Sequence, residues 1–366
     1  MRPRTCILMK EELHMRMKTK SAFALASVLT LALASCAGDE GDVGGNGEDE
    51  GEDGGDAAIE SVDSITIGLV PATDSATQAE EENAEALADQ LSESLDGFPV
   101  EIFFADSYQG VIQGMQSGDV QLLMSGPVGM IQAEDEVGGV PILQSIRFGS
   151  DQYVTQWFTN DPDTYCLDDV VQDEDGYSFC NGIYDEESGE LADYGPMGED
   201  ALELIEDGTS VAYVEEGSAS GFYFPQTQLN ELGVEVDAQF AGGHDQAVQA
   251  VYNGDYTIGT SFDDARTNIV DDNPDVGEEL VVFAWAGPIP NDGIVASDEF
   301  TEEEQDVLVD AFLSFGEEVE VADEDEGTEG DPLYQVYEIE GLAPADEEAL
   351  DVARQVYNDF GDEAGE

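Results

Sequence analysis

Short apolar runs alternate with helical patterns of apolar residues along most of the chain. The runs predict strands at 65–70, 100–105, 120–124, 152–158, 211–214, 258–261 and 281–285. Apolar residues at the helical period predict helices at 108–116, at 245–252, after Gly221, and in the set Ala84, Leu87, Ala88, Leu91 and Leu95. Thr301 and Glu304 form a capping box for another helix. This alternation predicts an α/β protein with largely parallel sheets.

The length and the charge narrow the class of protein. A chain of 366 residues is long enough for two domains or for one protein of two lobes. It carries 9 Lys and Arg residues against 86 Asp and Glu residues, a formal charge of −77. A polyanion of this strength repels phosphate backbones, which excludes nucleic acid as a partner. An uncharged apolar stretch occurs only near the start, which excludes a multispan membrane protein.

The start of the chain has the pattern of an export signal. Six of the nine basic residues lie within the first twenty positions, and an uncharged run rich in Ala and Leu follows at 21–35. Small residues then precede Cys36, in the order Leu33-Ala34-Ser35, which resembles the bacterial lipobox. We therefore predict a signal peptide at 1–35 and a lipid anchor on Cys36. The alternative is an ordinary signal peptide followed by a coincidental cysteine.

An acidic linker follows the anchor. Residues 39–56 hold nine acids and seven glycines, a composition that cannot bury a core. We predict a solvated tether at 36–61. The acids continue along the whole chain, and the arginines left after the leader are Arg147, Arg266 and Arg354. From these counts we expect ion pairing to matter little and infer a high-salt environment, because the Debye length falls to about 3 Å at 1 M salt.

The cysteines indicate a disulfide rather than a metal site. Cys6 leaves with the leader and Cys36 is the predicted anchor, so Cys166 and Cys180 remain in the folded body. An exported protein permits a disulfide, and this one would tie down an acid-rich insertion at about 161–194. The histidines are His14 and His244, too few for a metal cluster, and no cofactor is predicted.

Two turns carry candidate chemistry. Ser218-Ala219-Ser220-Gly221 follows a strand and opens a helix, where small residues let backbone N–H groups face an oxyanion. The alternative for this turn is a plain helix cap. Gly242-Gly243-His244 also opens a helix, and its histidine could donate to a ligand oxygen or serve as a structural cap.

The order of the short motifs resembles a known family, the phosphate, phosphite and phosphonate-binding proteins of ABC importers. The motifs are Tyr108-Gln109-Gly110-Val111-Ile112, Ser125-Gly126-Pro127, the turn 218–221 with Pro225, Phe240-Ala241-Gly242-Gly243-His244, Ala250-Val251-Tyr252-Asn253-Gly254, Ser261-Phe262-Asp263-Asp264 and Pro288-Ile289-Pro290-Asn291-Asp292. The resemblance covers about residues 65–345.

The resemblance implies a type II periplasmic-binding fold, in which two α/β lobes close on a ligand. The first lobe would comprise 62–152 and 281–366, and the second lobe 153–280. The hinges would lie near 152–156 and 280–283. The resemblance also implies a site in which Ser218, Ala219, Ser220 and Gly221 cradle the phosphorus oxyanion.

The same resemblance assigns roles around that cradle. His244 would donate to another oxygen, Tyr108 would face the ligand, and Asp292 would accept a proton from a P–OH group. Asp263 or Asp264 would meet an aminoalkyl ammonium. Thr73 belongs to the candidate set, as does Met130, which stands where the family often has an aromatic residue.

These expectations lead to a function. We expect a monomeric, lipid-anchored solute-binding protein on the outer face of a bacterial membrane, delivering a phosphorus oxyanion to an ABC permease. The alternative is a sensor subunit of the same fold that signals to a membrane kinase. An enzyme is not predicted, because the sequence has no nucleophile–His–acid arrangement in a recognisable elbow.

Overall fold

The part of the chain described by the computed structural model is built on two large mixed β-sheets and a two-stranded one. It covers residues 59–69, 78–105, 107–147, 149–186, 188–192, 195–317, 332–337 and 339–363. All of these residues belong to one unit, Ala58–Glu366. The predicted signal peptide, Cys36, most of the tether and Thr73 lie outside the described residues.

The strands in chain order are β1 (Ile65–Leu69), β2 (Val100–Phe104), β3 (Leu122–Ser125), β4 (Val140–Ile146), β5 (Gln152–Thr159), β6 (Val171–Gln172), β7 (Ser178–Phe179), β8 (Tyr184–Asp185), β9 (Glu190–Leu191), β10 (Ser210–Tyr213), β11 (Asp237–Phe240), β12 (Ile258–Phe262), β13 (Val281–Pro290), β14 (Gly293–Ala296) and β15 (Gly341–Pro344). The helices are α1 (Gln78–Ser94), α2 (Tyr108–Ser117), α3 (Pro127–Val137), α4 (Pro162–Tyr165), α5 (Glu199–Leu202), α6 (Phe224–Leu232), α7 (His244–Tyr252), α8 (Val276–Glu279), α9 (Glu302–Glu317), α10 (Pro332–Tyr337) and α11 (Glu347–Glu363). A π-helical turn at Ala219–Tyr223 and a 3₁₀ turn at Ala265–Ile269 complete the set.

The first lobe is the part built on the six-stranded sheet, in the order β15-β4-β14-β3-β1-β2. Strands β1, β2 and β3 are parallel, and β14 runs antiparallel to both of its neighbours. The apolar residues that predict α1 are all buried, and Leu87 and Leu91 pack with Ile65 and Ile67 of β1. The helical period therefore identified the face of α1 that meets the sheet.

The second lobe is built on the seven-stranded sheet, in the order β11-β10-β12-β5-β13-β7-β6. Strands β10, β11 and β12 are parallel, whereas β5 runs antiparallel to β12 and β13. Part of its core is formed by fully buried aromatic side chains of three strands, Trp157, Tyr213 and Phe283. The mixed α/β class predicted from the sequence is confirmed, although the sheets hold more antiparallel pairs than expected.

The return of the chain to the first lobe comes later than the predicted boundary at 281. Strand β13 pairs with β5 as far as Pro290, and the first lobe resumes at Gly293 in β14. Strand β13 extends beyond the predicted strand 281–285 and includes Pro288 and Pro290, and its pairing is irregular between Ala286 and Ile289. A bulge of this kind accommodates proline because the local ladder is already interrupted.

The two connections between the lobes lie side by side. Asn291 is buried, and its side-chain Nδ2 donates to the carbonyl of Ser145 in β4 and to that of Ser150 on the other connection. The amide of Asn291 also donates to the carbonyl of Asp151 at 2.9 Å. The chain therefore crosses between the two large sheets at 147–151 and at 291–292, and not at the predicted 280–283.

The disulfide is confirmed, and the arginines of the described residues lie beside carboxylates. Cys166 and Cys180 are bonded, with their Cα atoms 5.7 Å apart. Each arginine of the described residues forms an ion pair, and Arg266 is fully buried beside Asp264. A low count of arginines and lysines therefore does not exclude ion pairs.

The capping box of α9 also fastens the start of the folded body. Glu304 accepts the Thr301 amide and, in addition, the amides of Glu60 and Ser61 and the Ser61 hydroxyl. Burial alone would raise the pKa of Glu304, but these hydrogen bonds outweigh it and lower the pKa to about 2. The last two residues of the predicted tether, Glu60 and Ser61, are thus held to the first lobe by a charged acceptor.

Candidate functional site

The turn at 218–221 begins a continuous helical run in the second lobe. The Ser218 Oγ accepts a hydrogen bond from the Gly221 amide at 3.0 Å, so Ser218 is the helix cap. The π-helical turn follows and leads directly into α6. Ser218 therefore acts as a helix cap, the alternative considered above. The capacity of the turn to bind an anion depends on the residues that follow, Ala219 and Ser220.

Two buried threonines fix the direction of the peptide groups in this turn. Thr155 Oγ1 donates to the Ser220 carbonyl, and Thr260 Oγ1 donates to the Gly221 carbonyl, each at 2.9 Å. Both threonines are fully buried on adjacent strands of the second sheet. Among the described residues, the amides of Ala219 and Ser220 donate to no protein acceptor. Unpaired amides at a helix start form a positive site for an anion.

Glycines bring this turn close to its surroundings. A Cβ on Gly221 would lie 2.4 Å from Val214 and 2.7 Å from the Ser218 Oγ, so no side chain fits there. A Cβ on Gly217 would lie 2.6 Å from the Cβ of Tyr108 in the first lobe. Burial raises the pKa of Glu215, and a hydrogen bond from the Tyr108 backbone opposes the rise. Tyr108 is thus placed against the edge of the candidate cradle.

His244 lies at the start of α7 and is neutral at physiological pH. Its Nδ1 lies 2.7 Å from the Ser261 Oγ, and its ring is 4.8 Å from that of Phe262. Burial lowers the pKa of His244 to about 4, although the charge of Asp292 opposes this. A neutral imidazole with Nδ1 engaged by Ser261 still has Nε2 for one further hydrogen bond.

The two neighbouring acids Asp263 and Asp264 have different environments. Asp263 Oδ1 accepts the Val154 amide at 3.2 Å, and burial raises the pKa of Asp263 to about 7. Asp264 instead binds the guanidinium of Arg266, with a closest distance of 2.5 Å. The carboxylate of Asp264 is thus engaged by Arg266, and its role as a ligand residue stays a prediction. Asp263 is left as the acid of this pair beside the cleft.

Asp292 stands at the hinge with two partners that the sequence did not suggest. Its Oδ2 accepts a hydrogen bond from the guanidinium of Arg147 at 2.8 Å. Burial raises the pKa of Tyr153, and the nearby charge of Asp292 adds to the rise. A hydrogen bond with the Ser220 side chain and the charge of Arg147 act in the opposite direction.

Tyr153 therefore lies at the centre of one cluster of polar side chains. The cluster contains Arg147, Tyr153, Ser220, His244, Asp263 and Asp292. It combines residues of the second lobe with one residue from each of the two connections between the lobes. The sequence identified four of these residues and missed Arg147 and Tyr153. The scarcity of arginine could have drawn attention to Arg147, whereas nothing in the local pattern marks Tyr153.

Met130 is a core residue, and the described residues form neither a metal site nor a membrane-spanning helix. Met130 is fully buried and packs in the core of the first lobe, where its Sδ would lie 2.8 Å from a Cβ on Gly293. Among the described residues, no three His, Cys, Asp or Glu side chains are grouped to hold a metal ion. In that same part of the chain, no helix combines the length and apolarity needed to cross a membrane.

Comparison with known proteins supports the resemblance. The family described as "ABC transporter, phosphonate, periplasmic substrate-binding protein" matches residues 67–350. The chain is 28% identical over 257 residues to the phosphate-import protein PhnD of Mycolicibacterium smegmatis, covering 65% of this chain and 67% of that protein. It is 26% identical over 227 residues to the phosphonates-binding periplasmic protein of Escherichia coli, covering 60% and 57%.

Solved structures share the fold. PhnD1 of Prochlorococcus marinus, in complex with methylphosphonate, has a TM-score of 0.59 at 18% identity, covering 82% of this chain and 98% of that one. A binding protein of a phosphonate transporter from Pseudomonas aeruginosa has a TM-score of 0.57 at 18% identity, covering 80% and 84%. The two-lobed periplasmic-binding fold is confirmed, and the chain belongs to the family of periplasmic substrate-binding proteins of ABC phosphonate transporters.

Proposed function

We propose that this protein binds a phosphorus oxyanion between its lobes and delivers it to the permease of an ABC importer. The observation that carries the proposal is the pair of amides at Ala219 and Ser220. Thr155 and Thr260 hold the neighbouring carbonyls inward, and this leaves the two N–H groups for oxygen atoms of the anion. The ligands named for related proteins, phosphate, phosphonates and methylphosphonate, belong to this chemical class.

The remaining groups select the protonation state of the ligand. His244 donates through Nε2 to a second oxygen, and Asp292 Oδ1 accepts from a P–OH group. A carboxylate acceptor favours an oxyanion that keeps a proton, because only a hydroxyl can donate to it. Sulfate at neutral pH has no such proton, so we expect the site to reject it.

The proposal is tested by calorimetric titration of the folded body in molar NaCl. Methylphosphonate, phosphite, phosphate and 2-aminoethylphosphonate are the ligands, and sulfate is the control. We expect at least one phosphorus anion to bind with a Kd well below about 1 mM, and sulfate not to bind. If no phosphorus anion binds more tightly than about 1 mM, the proposed function is wrong.

The family works outside the cytoplasm. We further propose that Cys36 carries the lipid anchor, that the acidic tether lets the lobes reach the permease, and that the protein acts as a monomer in a high-salt environment. Replacing Cys36 by serine is expected to move the protein from the membrane fraction to the soluble fraction and to abolish labelling with radioactive palmitate. A Cys36→Ser variant that stays membrane-bound and labelled would contradict the anchor.

A further inference from the structure

Arg147 occupies an unusual position for a cation in this protein. It follows β4 on one connection between the lobes, whereas its partner Asp292 follows β13 on the other connection. Their side chains are 21% and 13% exposed, and the Nη2–Oδ2 distance is 2.8 Å. The ion pair therefore joins the two strands of the hinge at the edge of the polar cluster.

The ion pair occupies one oxygen of Asp292 and leaves the other. Among the described residues, no side chain donates to Asp292 Oδ1. That atom lies 3.6 Å from the position of a Cβ on Gly126, at the start of α3. Asp292 Oδ1 can therefore accept a hydrogen bond from a ligand that lies between α3 and the π-helical turn.

We propose that Arg147 is a specificity-determining residue that makes the site select an oxyanion bearing a P–OH group. This inference rests on the proposed function. A lone carboxylate beside an anion would repel it and would be free to turn away from the ligand. Arg147 cancels the charge of Asp292 and fixes the carboxylate by its Oδ2. Oδ1 then accepts and does not donate.

Other titratable groups face this pair. Tyr153 on β5, His244 on α7 and Asp263 after β12 belong to the same cluster. Glu340, before β15, accepts the Gly149 amide at 3.2 Å beside Arg147. These groups titrate in the same way whichever ligand is added. The ratio of two ligand affinities at one pH therefore reports the protonation state of the ligands and not that of the protein.

Phosphate and methylphosphonate provide that comparison. The phosphate dianion still carries one P–OH group, whereas the methylphosphonate dianion carries none. Both ligands pass from monoanion to dianion between about pH 6 and about pH 9, as related phosphoryl acids do. For the wild-type protein, we expect the preference for phosphate over methylphosphonate to increase at least about tenfold across this range, because a site built for a hydroxyl rejects a ligand that lacks it.

The test measures this preference by calorimetry in phosphate-free buffer with molar NaCl. In the Arg147→Gln variant, we expect the preference for phosphate over methylphosphonate to change by less than about threefold between about pH 6 and about pH 9. Arg354→Gln is the matched control, since Arg354 also pairs with carboxylates but lies on α11 away from the cluster, and it should behave as wild type. Arg147→Lys, which keeps the charge, is expected to retain most of the pH-dependent preference.

The outcomes are distinct. If the wild-type protein binds none of the anions, the proposed function fails and this inference fails with it. If the wild-type protein shows the pH-dependent preference and Arg147→Gln shows the same preference, only this inference is wrong. If Arg147→Gln does not fold, Arg147→Lys decides: retention of the preference supports the inference, and its loss contradicts it.

Discussion

Replacing Gly221 by alanine is expected to weaken oxyanion binding by about 100-fold or more, because the cradle is held by close contacts. The new Cβ would lie 2.4 Å from Val214 and 2.7 Å from the Ser218 Oγ. The turn has to move, which breaks the 3.0 Å hydrogen bond of the cap and displaces the amides of Ala219 and Ser220.

The measurement is calorimetric titration together with a thermal melt. Gly341→Ala is the control, since a Cβ there meets only Ile146 at 3.9 Å, and it should bind as wild type. Because alanine at 221 also strains the second lobe, the double variant Thr155→Val and Thr260→Val provides a milder test. It removes the two hydroxyl anchors and is expected to weaken binding by about tenfold. A folded Gly221→Ala protein with wild-type affinity would contradict the account of the turn.

Replacing Arg266 by methionine is expected to lower the free energy of unfolding by about 3–5 kcal/mol, the cost of breaking a buried ion pair from one side. Arg266 is fully buried and binds the Asp264 carboxylate and the carbonyls of Ser178 and Leu280. Its guanidinium carbon also lies 4.9 Å from the ring centroids of Tyr177 and Phe179. Methionine fills part of the volume but leaves Asp264 unpaired.

Urea denaturation at constant molar NaCl measures this effect. Arg354→Met is the control, because its partners Glu134, Glu347 and Asp351 are 37%, 63% and 72% exposed. Exposed pairs contribute about 0–1 kcal/mol, so the control should lose little stability. Equal losses for the two variants would show that burial of Arg266 does not matter.

Much of the secondary structure follows from local pattern. The spacing of Leu87 and Leu91, the capping box at Thr301, and the small residues at 218–221 each depend on neighbours a few positions away. The cysteine pair was predictable because elimination left Cys166 and Cys180 together. The end of β13 was not predictable, because prolines such as Pro288 and Pro290 usually lie outside a central strand unless a bulge accommodates them.

The site was only partly predictable, and the reason is distance along the chain. Arg147 and Asp292 are 145 positions apart, and no periodicity links them. Asp263 and Asp264 are adjacent and chemically identical, so only the fold shows that Arg266 takes the second one. The number of arginines after the predicted leader, three, likewise says nothing about where one of them lies.

The central claim is that backbone amides at the start of the helical run hold the anion. A crystal structure of the folded body grown in molar salt with saturating methylphosphonate at about pH 6, where the ligand is a monoanion with one P–OH group, tests it most directly. We expect two phosphonate oxygens within hydrogen-bond distance of the Ala219 and Ser220 nitrogens, about 2.7–3.2 Å, with Asp292 Oδ1 on the third oxygen. A ligand bound elsewhere, or one held by the Arg147 guanidinium while both amides lie out of reach, would contradict the account.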